Sequence, residues 1–244
     1  MISRNAKIDA NVSFEMDSAW AQRLQLSGMG TFEDLMRAEG QRMILHRARS
    51  ETHRVQLSDG QVAYVKRSLA TRPLEIGKAL LGGRKPQPGT HNECRACEQI
   101  GALGIATPRI IAEGQRRRGG LPWQGVFVAL PLPGRPLGEF IREEPAEKVS
   151  LAMRNIVTAW TRIMEVGLCW PDLHLRHVHV LDDGQIGLLD LERVHRRNFL
   201  HCPAHRRKNV ARLIKQATEG GAAPQCIQAF VEALKAAGIS SGLS

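Results

Sequence analysis

Residues 167–190 read Gly167-Leu-Cys-Trp170-Pro171-Asp172-Leu-His174-Leu-Arg-His177-Val178-His179-Val180-Leu181-Asp182-Asp183-Gly184-Gln-Ile186-Gly-Leu188-Leu189-Asp190. The apolar alternation in 177–181 and 186–190, about the turn formers Asp182-Asp183-Gly184, predicts a short β-hairpin. One carboxylate, Asp172, precedes this hairpin and another, Asp190, ends it. Immediately upstream, Val149, Met153, Ile156, Val157, Trp160, Ile163 and Met164 recur every three or four residues, which predicts a long helix over about 146–166 that stops at Gly167.

Further from this stretch the pattern changes. Pro131-Leu132-Pro133-Gly134-Arg135-Pro136 forms a joint, and strand signals dominate before it. Candidate strands are 43–47, 52–57, 62–66, 108–113 and 125–130, with turns at Ser58-Asp59-Gly60 and the basic Arg116-Arg117-Arg118-Gly119-Gly120. Thr31-Phe-Glu33-Asp34 has the capping-box form and opens a short helix ending before Gly40. A second helix is expected over about 90–103, and 68–90 reads as an inserted loop. After the hairpin the tail is helical, through Leu213, Ile214, Ile227, Phe230 and Leu234. The order predicts an α+β, two-lobed, protein-kinase-like fold. Residues 1–132 would form a small antiparallel sheet with one helix, and 133–244 a mainly helical lobe carrying a catalytic loop and the metal-binding hairpin.

Phosphoryl transfer needs a cation on the phosphates, an acid to hold that cation, a metal ligand and a carboxylate that orients the acceptor. Lys66 ends an apolar strand, where a protein kinase places its nucleotide-binding lysine. Glu93 opens the next helix and can pair with Lys66, but Thr90-x-x-Glu93 is also a capping-box pattern, so the two uses compete. Asp172 and His177 have the interval of the kinase catalytic Asp and Asn. Asp190 follows the hairpin, where a metal-binding Asp is delivered. Leu130 and Leu132, flanking Pro131, would offer backbone to adenine. The phosphate turn lacks a glycine-rich loop: Arg47-Ala-Arg-Ser50-Glu-Thr52-His-Arg54 stands there, with Thr52 and Arg54 as phosphate contacts.

These residues also carry a family resemblance. Thr52-x-Arg54, Tyr64-Val65-Lys66, Glu75-Ile76-x-Lys78-x-Leu80-Leu81, Asn92-Glu93, Asp172-x4-His177 and Leu189-Asp190-Leu191-x-Arg193 resemble the lipopolysaccharide core kinases of the Kdo/WaaP family, over roughly 43–215. In that family a His takes the kinase Asn position, as His177 does. The resemblance implies ATP and Mg2+, with Asp190 and His177 on the metal and Asp172, Lys66 and Glu93 as catalytic residues. It implies a heptose or Kdo hydroxyl of a lipopolysaccharide core intermediate as acceptor, at the cytoplasmic face of the inner membrane. Only 54 residues follow Asp190, little material for a peptide-binding platform, so a sugar is favoured over a protein substrate.

Composition narrows the alternatives. The 244 residues carry a net charge of +10, yet the 5% aromatic content shows no base-stacking cluster, which argues against nucleic acid. Residues 191–220 hold eight Lys/Arg against Glu192 and Glu219, and Arg193, Arg196 and Arg197 are the expected acceptor contacts. The first residues lack a signal-peptide core, no apolar run is long enough to span a bilayer, and five cysteines are an odd number, so a cytoplasmic protein is expected. Cys94-x-x-Cys97 reads as two small hydrophobes on one helix face, since no second Cys pair completes a zinc site. His177 and His179 are expected to share one strand face. The competing function is a non-catalytic kinase-like module that binds anionic glycolipid or a partner enzyme.

Overall fold

Strand signals are strongest where buried and half-buried residues alternate, and Val62–Ser68 does so without a break. Ala63, Val65 and Arg67 face one side of the sheet, Tyr64, Lys66 and Ser68 the other. The computed structural model describes residues 4–9, 11–46, 50–81, 83, 85–196 and 202–239, and side chains within 4–9, 44–46 and 202–205 are outside the description. The chain forms two compact units: Met1–Arg95 with Pro108–Pro131, and Ala96–Thr107 with Leu132–Ser244.

The first unit contains β1 (Arg4–Asp9), β2 (Val12–Asp17), α1 (Ser18–Leu26), α2 (Phe32–Arg37), β3 (Gln41–His46), β4 (Ser50–Gln56), β5 (Val62–Ser68), α3 (Pro73–Leu81), the start of α4 (Gly89–Gly101), β6 (Ile110–Arg118) and β7 (Leu121–Ala129). Its seven strands form one antiparallel sheet in the order β1-β2-β6-β7-β5-β4-β3. One face buries Phe14, Met16, Val55, Ala63, Val65, Ile111, Val126 and Val128 against Trp20 and Leu24 of α1 and Phe32 and Leu35 of α2. On the other face Cys94 of α4 packs with Phe127 and Ala129. Thr31 caps α2 as expected, its Oγ1 accepting from the Asp34 N–H at 3.1 Å.

Three expectations change here. The sheet has more than one helix, because Val12, Phe14 and Met16 alternate inward as a strand and Asp17 then caps α1 through the Ala19 N–H. The segment 68–90 is not wholly loop, since it contains α3. Arg116, Arg117 and Arg118 belong to β6 and only Gly119-Gly120 turn; Arg116 pairs with Glu33 of α2 and Gln124 of β7, so its charge is used within this unit. Residues 47–49 of the phosphate turn lie outside the described residues.

The second unit takes the end of α4 and adds β8 (Arg135–Pro136), α5 (Leu137–Glu143), α6 (Ala146–Glu165), β9 (Leu168–Cys169), a 3-10 turn at Leu175–His177, β10 (Val178–Val180), β11 (Ile186–Leu188), β12 (His195–Arg196), α7 (Cys202–Glu219) and α8 (Pro224–Ala236). The expected apolar stripe of α6 is buried at Val149, Met153, Ile156, Val157, Trp160 and Ile163, and α6 packs along α8. The hairpin forms as β10–β11, with β8 adding a third strand. Asn155 of α6 donates to the Gly184 carbonyl at 2.9 Å, fixing the hairpin turn to the long helix. Gly134 lets the joint pass against β10: at φ +85, a Cβ there would lie 2.3 Å from the Val180 oxygen. The fold is α+β and protein-kinase-like. No helix among the described residues is long and apolar enough to cross a membrane.

Candidate active site

The sheet unit holds the lysine. In register, Lys66 on β5 stands opposite Thr52 on β4 and Phe127 on β7, while Tyr64 stands opposite Arg54. Directly opposed residues share a face, so Thr52, Arg54, Tyr64 and Lys66 lie on the side covered by α4. Glu93 meets Lys66 there: Nζ donates to Oε2 at 2.6 Å, with both side chains largely buried. The competition over Glu93 is decided by where α4 starts. Its first residue is Gly89, which puts Thr90 inside the helix rather than at its cap. Gly125 on β7 permits the close approach, because a Cβ there would fall 2.3 Å from Thr90 Oγ1. At this distance and burial the ion pair holds the ammonium in one place, which an exposed lysine at a strand end would not do. At the end of this unit, the Leu130 N–H donates to the Arg109 carbonyl at 2.9 Å, so Leu130 has only its carbonyl to offer a base. Leu132, beginning the next segment, is buried.

In the helical unit, Asp172 lies on the loop between β9 and the 3-10 turn. Its carboxylate receives Arg193 Nη1 at 2.9 and 3.2 Å, and Arg212 Nη1 lies 3.9 Å away. Asp172 is 15% exposed and Arg193 65%, so the arginine reaches in from solvent. The loop backbone is held by one side of α7. Asn209 Nδ2 donates to the Trp170 carbonyl at 2.9 Å, Arg212 Nη2 to the Pro171 carbonyl at 3.1 Å, and Gln216 Oε1 accepts from the Leu175 N–H at 3.3 Å. Asn209 Oδ1 in turn accepts from Arg212 at 2.8 Å. Positions 209, 212 and 216 recur at helical spacing, so one straight helix supports three successive points of the loop.

His177 does not lie on a strand face with His179. It ends the 3-10 turn, one residue before β10, because the loop returns to the strand through the His174 carbonyl, which accepts the His177 N–H at 2.9 Å. Its Nδ1 lies 3.0 Å from the Asp172 carbonyl. A carbonyl only accepts, so Nδ1 carries the proton and Nε2 presents its lone pair in the neutral ring. That Nε2 is 3.6 Å from Asp190 Oδ2. In that tautomer both atoms are acceptors, an arrangement that a cation between them would satisfy.

Asp190 is the sole non-glycine residue with positive φ among the described residues, at +54. Such backbone is strained, tolerated by Asp better than by most residues, and concentrated at functional sites. A Glu192 carboxylate oxygen lies within 4.8 Å of one from Asp190. The two carboxylates offer oxygen ligands that suit a divalent cation such as Mg2+, whereas the His177 imidazole, near Asp190, is the poorer match.

Two other histidines are held neutral by the fold. Burial lowers the His174 pKa, and the neighbouring His177, Arg176 and Arg212 add to this, with Asp172 opposing. The ring accepts the Arg176 N–H at Nδ1, 3.1 Å away, a bond that protonation would destroy. Burial also lowers the His179 pKa, against a hydrogen bond to the Pro133 backbone, whose sole group for the purpose is its carbonyl.

Among the expected acceptor contacts, Arg193 is on Asp172, Arg196 is exposed on β12, and Arg197 lies outside the described residues, as do the side chains of His201, Cys202 and His205. Cys94 and Cys97 are buried in α4. Asn209 and Gln216 were not singled out by the sequence. The signal that could have found them is their spacing with Arg212 on one side of an otherwise apolar-patterned helix.

A Lys–Glu pair between β5 and α4, a carboxylate on a loop after a long helix, and a second carboxylate after a hairpin follow the order expected of a protein-kinase-like fold. The chain belongs to the lipopolysaccharide kinase (Kdo/WaaP) family, whose sequence model matches residues 40–236. No curated protein matches it.

Proposed function

We propose that this family member transfers the γ-phosphoryl group of ATP to a heptose or Kdo hydroxyl of the lipopolysaccharide inner core. The single observation that carries the reading is the 2.6 Å Lys66–Glu93 ion pair, because it holds a cation on the strand face where a nucleotide phosphate would be bound. Lys66 would meet the α- and β-phosphates, with Thr52 and Arg54 as further contacts on that face. The Leu130 carbonyl and the Leu132 N–H would accept and donate to adenine. Asp190 and His177, with Glu192 beside them, would hold Mg2+, which when bound neutralises charge on the phosphates.

Asp172 would orient the sugar hydroxyl and take its proton as the new O–P bond forms and the bond to the ADP oxygen breaks. Arg193 must leave Asp172 for this to happen. An acceptor bearing a phosphate or carboxylate supplies the anion that draws it away, and its exposure lets it move. Arg196 and Arg197 would add to the same attraction. Such an acceptor would be membrane-borne, and the reaction would then run at the cytoplasmic face of the inner membrane.

Incubation with labelled ATP, Mg2+ and dephosphorylated core lipid tests the reading. Label should appear in the core, and its absence beside a working control kinase would sink the proposal. The Arg193–Asp172 pairing also suits a second reading, a non-catalytic module that binds anionic glycolipid or a partner enzyme. Mg-ATP separates the two, since a ligand at 100 times its Kd stabilises the fold by about 2.7 kcal/mol. An unfolding midpoint indifferent to millimolar ATP would favour the module.

A further inference from the structure

Among the described residues, α3 is the one helix with no buried side chain. Its sequence, Pro73-Leu-Glu-Ile-Gly-Lys-Ala-Leu-Leu81, is nevertheless mainly apolar. Leu81 is 92% exposed, Leu74 67% and Leu80 57%, whereas Leu24, Leu35, Leu137, Leu213 and Leu234 of other helices are fully buried. Leu74, Lys78 and Leu81 recur at i, i+4 and i+7 along one side, and Leu80 adjoins them. An apolar helix side that the fold leaves in water marks an interaction surface.

The patch extends beyond the helix. Thr71, two residues before α3, donates its N–H and its hydroxyl to the Trp123 carbonyl at 2.9 and 3.3 Å, tying the helix start to β7. Trp123 is itself exposed, as is Leu121. The Arg118 guanidinium lies 5.5 Å from the Trp123 ring centre. Arg72, Lys78 and Lys85 are exposed around the same patch, and Glu75 is the acidic residue on the helix, 3.8 Å from Arg72.

We propose that α3 and the β6–β7 turn form a docking surface for an anionic phospholipid bilayer. Leu74, Leu80, Leu81 and Trp123 enter the boundary between headgroups and acyl chains, and Arg72, Lys78, Lys85 and Arg118 meet lipid phosphates. The long stem of Lys78 lets its charge reach the headgroups from between two leucines. Leucines and one tryptophan rimmed by Lys and Arg match the chemistry of an interfacial helix. Charge decides against a second copy of this chain: a symmetric contact would set the same cations face to face, whereas anionic lipid complements them. The proposal rests on the function above only in that a membrane-borne acceptor gives docking a purpose.

The test is sedimentation of the full chain with vesicles of phosphatidylglycerol and phosphatidylethanolamine. The protein should pellet with these, and much less with phosphatidylcholine alone or at high salt. Leu80→Ser combined with Leu81→Ser should lower the partition coefficient about tenfold, and Lys78→Glu by a smaller factor. Both variants should keep the unfolding midpoint, since the side chains they alter lie in solvent. Wild-type protein that stays in the supernatant, or variants that pellet equally well, would overturn the docking surface. So would a wild-type dimer that the leucine substitutions disperse, or a vesicle-independent complex with another protein that they abolish. Transfer onto a deacylated, water-soluble core separates this outcome from failure of the kinase reading. The docking variants should match wild type on that acceptor and show a raised KM on acceptor embedded in vesicles. Vesicle binding without any transfer would remove the kinase reading alone.

Discussion

The two units hold their functional side chains by different means. Lys66 is fixed by burial between a strand and a helix and by the Glu93 carboxylate, with Gly125 permitting the close approach. Asp172 is held largely by hydrogen bonds: its loop anchors itself by burying Trp170 and Leu173, α7 takes hold of the backbone carbonyls, and Arg193 covers the carboxylate from solvent. A buried pair is rigid and costly to break from one side. A solvated pair is weak and exchangeable. The difference would suit the two proposed tasks, since a phosphate-binding cation would benefit from staying in place and an acceptor-orienting carboxylate would have to be uncovered in each turnover.

The largest effect expected concerns Asp172. Asp172→Asn should lower the rate of phosphoryl transfer by about 10²–10⁴-fold, the usual range for a lost general base, while nucleotide binding and the unfolding midpoint hold. Near-normal turnover would show that the loop carboxylate has another role. The buried pair gives the next largest effect. Glu93→Ala removes the carboxylate from a largely buried Lys66 ammonium and should cost about 3 kcal/mol in denaturant unfolding. A loss under about 1 kcal/mol would make the pair equivalent to a surface bridge and erase the contrast between the units.

Asn209→Ala tests the backbone support. It removes a buried donor from the Trp170 carbonyl and an acceptor from Arg212, and should cost about 2 kcal/mol. In the enzyme assay kcat should fall more than KM rises, because the loop would be mispositioned rather than the acceptor unbound. Arg193→Ala is expected to leave stability within about 1 kcal/mol of wild type, as its partner stays accessible and Arg212 remains nearby. Its effect should appear as a raised KM for the anionic acceptor. A large loss of stability would make Arg193 a structural residue.

The smallest effect is a pH dependence. The folded state holds the His174 pKa below its ordinary value, chiefly by burial, so folding favours the neutral ring. The stability this contributes is complete above the ordinary histidine pKa of about 6.5 and is lost as pH falls through the lower folded value. His174→Gln should therefore make the decline in stability from about pH 7 to pH 5 shallower. His179, lowered by burial as well, accounts for a remaining slope. An unchanged slope would place the acid-sensitive groups elsewhere.

The elements legible in sequence were those with local causes. The α6 stripe, the Asp182-Asp183-Gly184 turn, the Thr31 cap and the β5 alternation each rest on residues a few positions apart. The alternation of Val12, Phe14 and Met16 was equally local, and it shows that a readable signal is still missed where no turn or cap frames it. Lys66, Glu93, Asp172 and Asp190 could be named from sequence because their order along the chain follows from the order of the elements. The same order, with the match over residues 40–236, made the family legible.

What the chain could not state locally was which partner each group takes. Thr90 and Glu93 suited a capping box as well as an ion pair, and the start of α4 at Gly89, with its approach to Gly125, decided for Lys66. Nothing near Asp172 in sequence predicts that Asn209 and Gln216, some forty residues later, support its loop, or that Arg193 lies on its carboxylate. The charge of +10 suffered the same ambiguity. Its arginines looked alike until the fold set Arg212 on a backbone carbonyl, Arg116 on Glu33, and Arg118 beside Trp123 in a patch of exposed leucines. Periodicity and turn chemistry act over a few residues, so sequence alone determined most of the elements and the acid and base types. Burial and pairing depend on segments distant in the chain, so only the tertiary structure decided what each charge does.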